Sequence, residues 1–309
     1  MAHRLTLALD IGGSKLAVAL VDPAGTVVYK TTRRTPQCNV AEELWAVVED
    51  MMTGAMHRAG GVIGAVGIAS PGPLDLAAGT TSPVNIACWR NFPLRDRAAA
   101  AAPGVPVRIA GDALCMALGE HWRGAGQNAR FLLGMVVSTG VGGGLVLDGA
   151  PYYGRTGNAG HVGHVVVEPD GEPCSCGGRG CVESMAAGPA LVRWARANGW
   201  AAPADAAAAE LADAAKVGDA VAALAFRRGA TALAAMIASV AAVCDLDLVI
   251  IGGGVARSGP LLFEPLQTAL ASYARLDFLG GLRVVPAALG ADAGLVGAAA
   301  LAGVADPCR

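Results

Sequence analysis

His164, Cys174, Cys176 and Cys181 spell H-x9-C-x-C-x4-C, with the three cysteines inside the Gly-rich stretch CSCGGRGC. Four nitrogen and sulfur ligands with no open position describe a closed tetrahedral Zn²⁺ site, which stabilises a loop and does not activate water. The glycines let so short a loop wrap around one ion. Cys38, Cys88, Cys115, Cys244 and Cys308 are scattered, so the cysteines follow a metal spacing and not the framework of a disulfide-stapled secreted domain.

Three glycine clusters are candidates for anion binding. Asp10-Ile11-Gly12-Gly13-Ser14-Lys15 falls between two apolar runs; its glycines permit a tight turn whose N–H groups can approach a phosphate closely, and Ser14 adds a hydroxyl. The same spacing also suits an ordinary hairpin turn. Ser138-Thr139-Gly140-Val141-Gly142-Gly143-Gly144 repeats that grammar later in the chain, and Gly252-Gly253-Gly254 ends the apolar run LDLVIIG, where a nucleoside can lie against bare backbone. Neither GxxxxGK[ST] nor a GxGxxG opening a helix occurs, which leaves the P-loop and Rossmann readings without support. Asp112 heads ALCMALGEHWRG, whose apolar spacing suits a helix ending near Gly124. An aspartate there is either a helix cap or a carboxylate held in place for proton transfer.

The elements that must position these residues follow from periodicity. LTLALDIG, KLAVALVD and GTVVYKTTRR read as an antiparallel meander, and residues 41–59 read as a helix. GAVGIAS and VPVRIAG are further strands, and FLLGMVVST with GGGLVLDG restarts the pattern after the Asp112 helix. The Ala-rich region 187–243 is predicted helical, LDLVIIGGG is a late strand, and residues 295–304 form a last helix. Strands alternating with helices predict an open, mixed α/β sheet, laid down twice. No compositional linker separates the rounds. We expect a smaller N-terminal α/β lobe at 1–112, joined by the C-terminal helix at about 294–309, and a larger α/β lobe at 113–293 carrying the zinc-binding loop, with the site in a cleft between them.

The 309 residues are 54% hydrophobic and 16% charged with a formal net charge of -2. That near-neutral balance argues against a nucleic-acid footprint and for a small-molecule partner. No apolar run of membrane-spanning length is read, and Asp10 comes too early for a signal-peptide core, so a cytoplasmic location is expected.

DIGGSK, SPGPLD, GDALCMALGE, TGVGGGLVLDG, GNAGHVGH, CSCGGRGCVE and LVIIGGG together resemble the ROK family of bacterial sugar kinases and sugar-responsive repressors, from Leu5 to about Gly297. The resemblance implies the actin-like ATPase (ribonuclease H-like) fold of two lobes, and a homodimer or homotetramer. ATP phosphates, with Mg²⁺, would be held by Asp10, Gly12, Gly13, Ser14, Lys15, Thr139, Gly140, Gly142 and Gly143, with Gly252, Gly253 and Gly254 beside the adenosine. Asp112 takes the place of the catalytic base. Sugar contacts map onto Gly72, Asn85, Gly111, Asp112, His161, His164 and Glu183, the last being the Glu of CxE. Gly111 stands where the family has an Asn, and His161 where it has a Glu; Leu114 replaces a second Asn. Exchanging an amide and a carboxylate alters the hydrogen-bonding partners offered to the sugar. Glucose is therefore the expectation from the family, with amino or N-acetylated hexoses such as kanosamine and N-acetylmannosamine as alternatives. A sugar-sensing regulator is a further alternative, disfavoured by a first strand at Leu5 where repressors carry a helix-turn-helix segment, and by the lack of a basic patch. Trp89 reads as a packing residue.

Overall fold

The computed structural model describes residues 4–60 and 63–304. Cys308 and the stretch 305–309 of the expected terminal helix lie outside the described residues. The chain divides into two compact units, one of Met1–Asn128, Gly144–Ala159 and Ala288–Arg309, the other of Ala129–Gly143 and Gly160–Ala287.

The first unit opens with β1 (Leu5–Ile11), β2 (Lys15–Val21) and β3 (Val27–Arg34), then α1 (Ala41–Arg58), β4 (Ile63–Ser70), the short pair β5 (Leu74–Asp75) and β6 (Thr80–Thr81), α2 (Leu94–Ala101), β7 (Val107–Gly111) and α3 (Asp112–Arg123). Its sheet runs β3-β2-β1-β4-β7. The meander is antiparallel as expected, whereas β4 pairs parallel to both β1 and β7. β1 is apolar because it is central, with Leu7, Ala8 and Leu9 fully buried. β3 alternates in burial and ends on charged residues, a solvated edge that resists further strand pairing. α1 buries Leu44, Trp45, Val48, Met51, Met52 and Ala55, a stripe at helical spacing.

After α3 come β8 (Leu132–Val137), β9 (Val141–Leu147), β10 (Ala150–Tyr152), α4 (Glu183–Ala186), α5 (Gly188–Ala197), α6 (Ala208–Lys216), α7 (Ala220–Cys244), β11 (Leu248–Gly252), α8 (Pro260–Tyr273), β12 (Arg283–Pro286) and α9 (Ala293–Ala300). The second sheet runs β10-β9-β8-β11-β12. This is the order of the first sheet repeated, so the duplication anticipated from the restarted strand pattern is present. α8, β12 and α2 had no counterpart in the sequence reading. One expectation needs correction: α7, of 25 residues, is long and apolar enough by length and composition to cross a membrane, although 56% of its most apolar window is buried inside the protein, as in a core helix.

The helix carrying Asp112 is fixed at its far end. α3 packs against α9 at very short range, and a Cβ at Gly297 would overlap the Cys115 carbonyl. Glu120, fully buried, closes the arrangement: its carboxylate accepts from the N–H groups of Ala125 (2.8 Å), Ala288 (3.0 Å) and Leu289 (2.7 Å). Glu120→Ala leaves three interior donors unmet at roughly 1–3 kcal/mol each. Urea denaturation should read a loss of about 4 kcal/mol or more, with a smaller loss for Glu120→Gln. Equal stability of Glu120→Ala and the parent would refute the clamp.

Candidate active site

In the first unit, the turn between β1 and β2 is closed by Gly12 N–H donating to the Lys15 carbonyl at 3.0 Å. Thr35 braces it, its hydroxyl donating to Gly12 O at 2.6 Å and its N–H to Ser14 O at 3.1 Å. A Cβ at Gly13 would come within 2.8 Å of the Asn85 side chain, so Asn85 rests directly on this turn. Asp112 is the first residue of α3, behind Gly111, with Oδ1 accepting from Ala113 N–H at 2.7 Å. Gly111 has no neighbour within 4 Å of a built Cβ, so the missing side chain there leaves open space. Gly72 precedes a cis peptide to Pro73, and its loop is held by Asn158, which accepts from Leu74 N–H at 2.9 Å and donates to Leu74 O at 2.8 Å.

Asp10 and Asp112 face one another closely enough to interact. Burial first, and then the Asp112 charge, push the Asp10 carboxyl from 3.8 up to about 6 against the pull of Lys15. A buried carboxylate beside the glycine turn suits a divalent cation, so Asp10 is the residue of this unit suited to hold Mg²⁺. The folded state binds the Asp10 proton more tightly than the unfolded chain. Stability from this group is therefore full below pH 3.8 and falls as pH rises towards 6. In metal-free protein Asp10→Asn should raise stability by about 1–3 kcal/mol at pH 7, a gain that vanishes near pH 4; chemical denaturation at the two pH values checks it.

In the second unit, the turn between β8 and β9 is closed by Ser138 N–H donating to Gly140 O at 2.8 Å. Glu183, at the head of α4, accepts from Val141 N–H at 2.8 Å, and a Cβ at Gly140 would come within 2.7 Å of its Oε2. Its carboxylate thus clasps the glycine turn. Gly253 has φ +98° and its missing Cβ would strike the Val137 carbonyl, which is why a glycine is needed where β11 ends beside β8. Beside both turns lies a cavity of about 600 Å³, lined by Thr139, Gly254, Pro189, Val192, Arg193 and Arg257 among others. Part of its wall is the loop before α6, gripped by Arg196, whose Nη2 donates to the carbonyls of Pro203 (2.5 Å), Ala204 (2.9 Å) and Ala206 (3.3 Å). Sequence reasoning did not pick out Arg193 or Arg196; their place on α5 beside a glycine turn was the available signal.

His164, Cys174, Cys176 and Cys181 converge as their spacing predicted, all four ligand atoms within 4.8 Å of one another. His164 Nδ1 is 3.8 Å from Cys174 Sγ, and Cys176 Sγ is 3.8 Å from Cys181 Sγ. Tetrahedral zinc with bonds of about 2.0–2.3 Å has ligand–ligand edges of roughly 3.5–3.8 Å, so the donor set fits the ion. Positive φ at Gly177 (+90°) and Gly180 (+68°) turns the loop, and Val182 N–H donates to Val165 O at 3.0 Å, tying its last ligand to the segment of its first. The His161 and His164 rings lie 6.4 Å apart.

The sequence pattern of the ROK family matches residues 6–304. The chain belongs to the ROK family. Among ROK relatives, a glucokinase of Thermotoga maritima is 36% identical over 96% of both chains. An N-acetylmannosamine kinase of Yersinia pestis is 35% identical over 95% of this chain and 96% of its own. A crystal structure of a ROK glucokinase from Streptomyces griseus in complex with glucose and AMPPNP superposes with TM-score 0.81 at 34% identity, covering 96% of this chain and 98% of that one. The fold of this ROK protein is therefore the actin-like one expected, in which each glycine turn described above joins the first two strands of a sheet.

Proposed function

We propose that this protein is an ATP-dependent hexose kinase of the cytoplasm, transferring the γ-phosphoryl group to the 6-hydroxyl of glucose or a glucose-like sugar. The observation that carries the reading is Asp112, presented at the head of a clamped helix beside Asp10 and the Gly12–Gly13 turn, in a chain similar over its whole length to glucokinases.

Asp112 accepts the proton of the sugar hydroxyl as that oxygen attacks the γ-phosphorus in line. The backbone N–H groups of the two glycine turns hold the phosphate oxygens, and the cavity beside Thr139 and Gly254 takes the nucleoside. Mg²⁺, when bound, neutralises charge on the transferring phosphates; positioning and electrostatics supply most of the rate in such transfers. Asn85, Gly72 and Gly111 in the first unit, and His161, His164 and Glu183 in the second, are the candidates for sugar recognition. His164 turns Nδ1 to the thiols, which leaves Nε2 to meet a hydroxyl. The oligomer, a dimer or tetramer on this reading, is measurable by light scattering.

The open space at Gly111 and the imidazole at His161 favour a second reading, a kinase of amino or N-acetylated hexoses, to which the similarity with N-acetylmannosamine kinases lends weaker support than the glucokinases lend to glucose. A coupled ADP-release screen over glucose, mannose, N-acetylglucosamine, N-acetylmannosamine, glucosamine and kanosamine separates them. Glucose should give the highest kcat/KM. Turnover with none of the six would overturn the kinase reading in favour of a silent sugar-binding or sensing module.

A further inference from the structure

Cys38 and Cys88 are far apart in sequence, and the mechanism uses neither. Each follows, by three residues, an anchor on the same phosphate turn: Thr35 donates to Gly12 O and Ser14 O, and Asn85 lies against Gly13. Just past the cysteines the same two segments meet again, where the indole N–H of the fully buried Trp89 donates to Ala41 O at 3.2 Å. Between these two ties both cysteines are half-buried and packed against one core. The two ties hold the cysteines on neighbouring segments, and burial first, then contact with Cys38, raise the Cys88 pKa. Cys38 Sγ also reaches the Val40 carbonyl at 3.6 Å, on the chain leading to Ala41.

We propose that Cys38 and Cys88 are a modification site, forming a reversible disulfide on exposure to hydrogen peroxide, and that this bond makes hexose binding redox-sensitive. One thiolate attacks the peroxide oxygen, giving a sulfenic acid and releasing water once protonated. The neighbouring thiol then attacks that sulfur, expelling a second water. Two thiols are oxidised by two electrons as one peroxide is reduced to two waters. Disulfides of this kind in reducing compartments are usually transient and sensory. Bonded sulfurs sit closer than sulfurs in contact, so the bond draws the Asn85 loop towards the start of α1. A misplacement on the order of 1 Å of a positioning group costs up to about a hundredfold in rate, and hydrogen bonds to the sugar weaken with it. The inference rests on the hexose reading only for the second half of the proposal.

The test uses the zinc-loaded full chain, titrated with hydrogen peroxide and quenched by alkylation. Without reduction, tryptic peptides 35–58 and 59–90 should appear as one linked species while zinc content is unchanged. Glucose affinity by calorimetry should fall at least about threefold, recover with dithiothreitol, and be insensitive to peroxide in Cys38→Ser and in Cys88→Ser. Failure to find the linked peptides, or thiol loss confined to the zinc loop with release of metal, overturns the site. Linked peptides with unchanged glucose affinity overturn its effect on binding. If unoxidised protein neither binds nor turns over any hexose, the kinase reading and the redox effect fall together, while the peptide map still decides the bond.

Discussion

Asp112→Asn is expected to lower kcat by about 10²–10⁴-fold or more, the range a positioned general base supplies, with nucleotide affinity nearly unchanged. The amide is isosteric and neutral, so it can still accept the Ala113 N–H that Asp112 Oδ1 accepts at 2.7 Å. It cannot take a proton. Removing the charge also relieves the repulsion felt by Asp10, so the variant should fold at least as well as the parent and the loss cannot be assigned to unfolding. Single-turnover kinetics with ATP and glucose, beside calorimetric titration of an ATP analogue, measures both quantities. A helix-capping role alone would leave kcat within a few-fold of the parent and move only stability, so near-normal turnover would remove the central assignment.

Where the sequence spoke clearly, it did so because one local rule decided the structure. β1, β2 and β4 are buried apolar runs between turn residues, α1 carries its core residues at helical spacing, and the two sheets repeat because the strand pattern repeats. The convergence of His164 with the three cysteines was legible for the same reason, since the cysteines sit in one short loop and His164 at the end of a turn pinned to it. Other elements were hidden by competing signals. α8 begins at Pro260 and contains Pro265, and two prolines so close read as loop although the first stands where a helix tolerates it. β12 is a short strand, Arg283–Pro286, with exposed ends, defined only by its parallel pairing with β11.

The site divides along the same line. Glycine turns announce themselves by composition, but what braces them is distant in the chain: Thr35 and Asn85 at the first, Glu183 at the second. The resemblance marked Glu183 for the sugar; its carboxylate is also bonded to the turn that the phosphates would use. Glu120 was invisible as a clamp because a lone carboxylate in a helix normally faces water, and its three partners are set by the fold of residues 125 and 288–289.

Loss of the zinc we propose for the His164–Cys181 cluster should lower stability and activity together. The loop from His164 to Cys181 has few apolar residues, and its hydrogen bonds are turn closures such as Cys174 N–H to Gly178 O at 2.9 Å; without a central ion, crowded thiols and an imidazole have nothing to converge on. Glu172, in the same loop, pairs with Arg193 at 3.1 Å and with Arg228 at 3.5 Å, so loosening the loop also frees a wall residue of the cavity beside Thr139 and Gly254. The rest of the second unit has its own core and would remain folded. The expected loss for Cys176→Ser is therefore not the roughly 10–16 kcal/mol of an isolated zinc-finger peptide but about 3–5 kcal/mol, at the upper end of single-substitution effects, where loss of a metal belongs. Thermal unfolding should shift down by about 10 °C, zinc measured by elemental analysis should fall from one ion per chain to none, and kcat/KM should drop with it because His164 loses its orientation. A metal-free protein with the melting temperature and turnover of the parent would show that the four ligands gather for another reason.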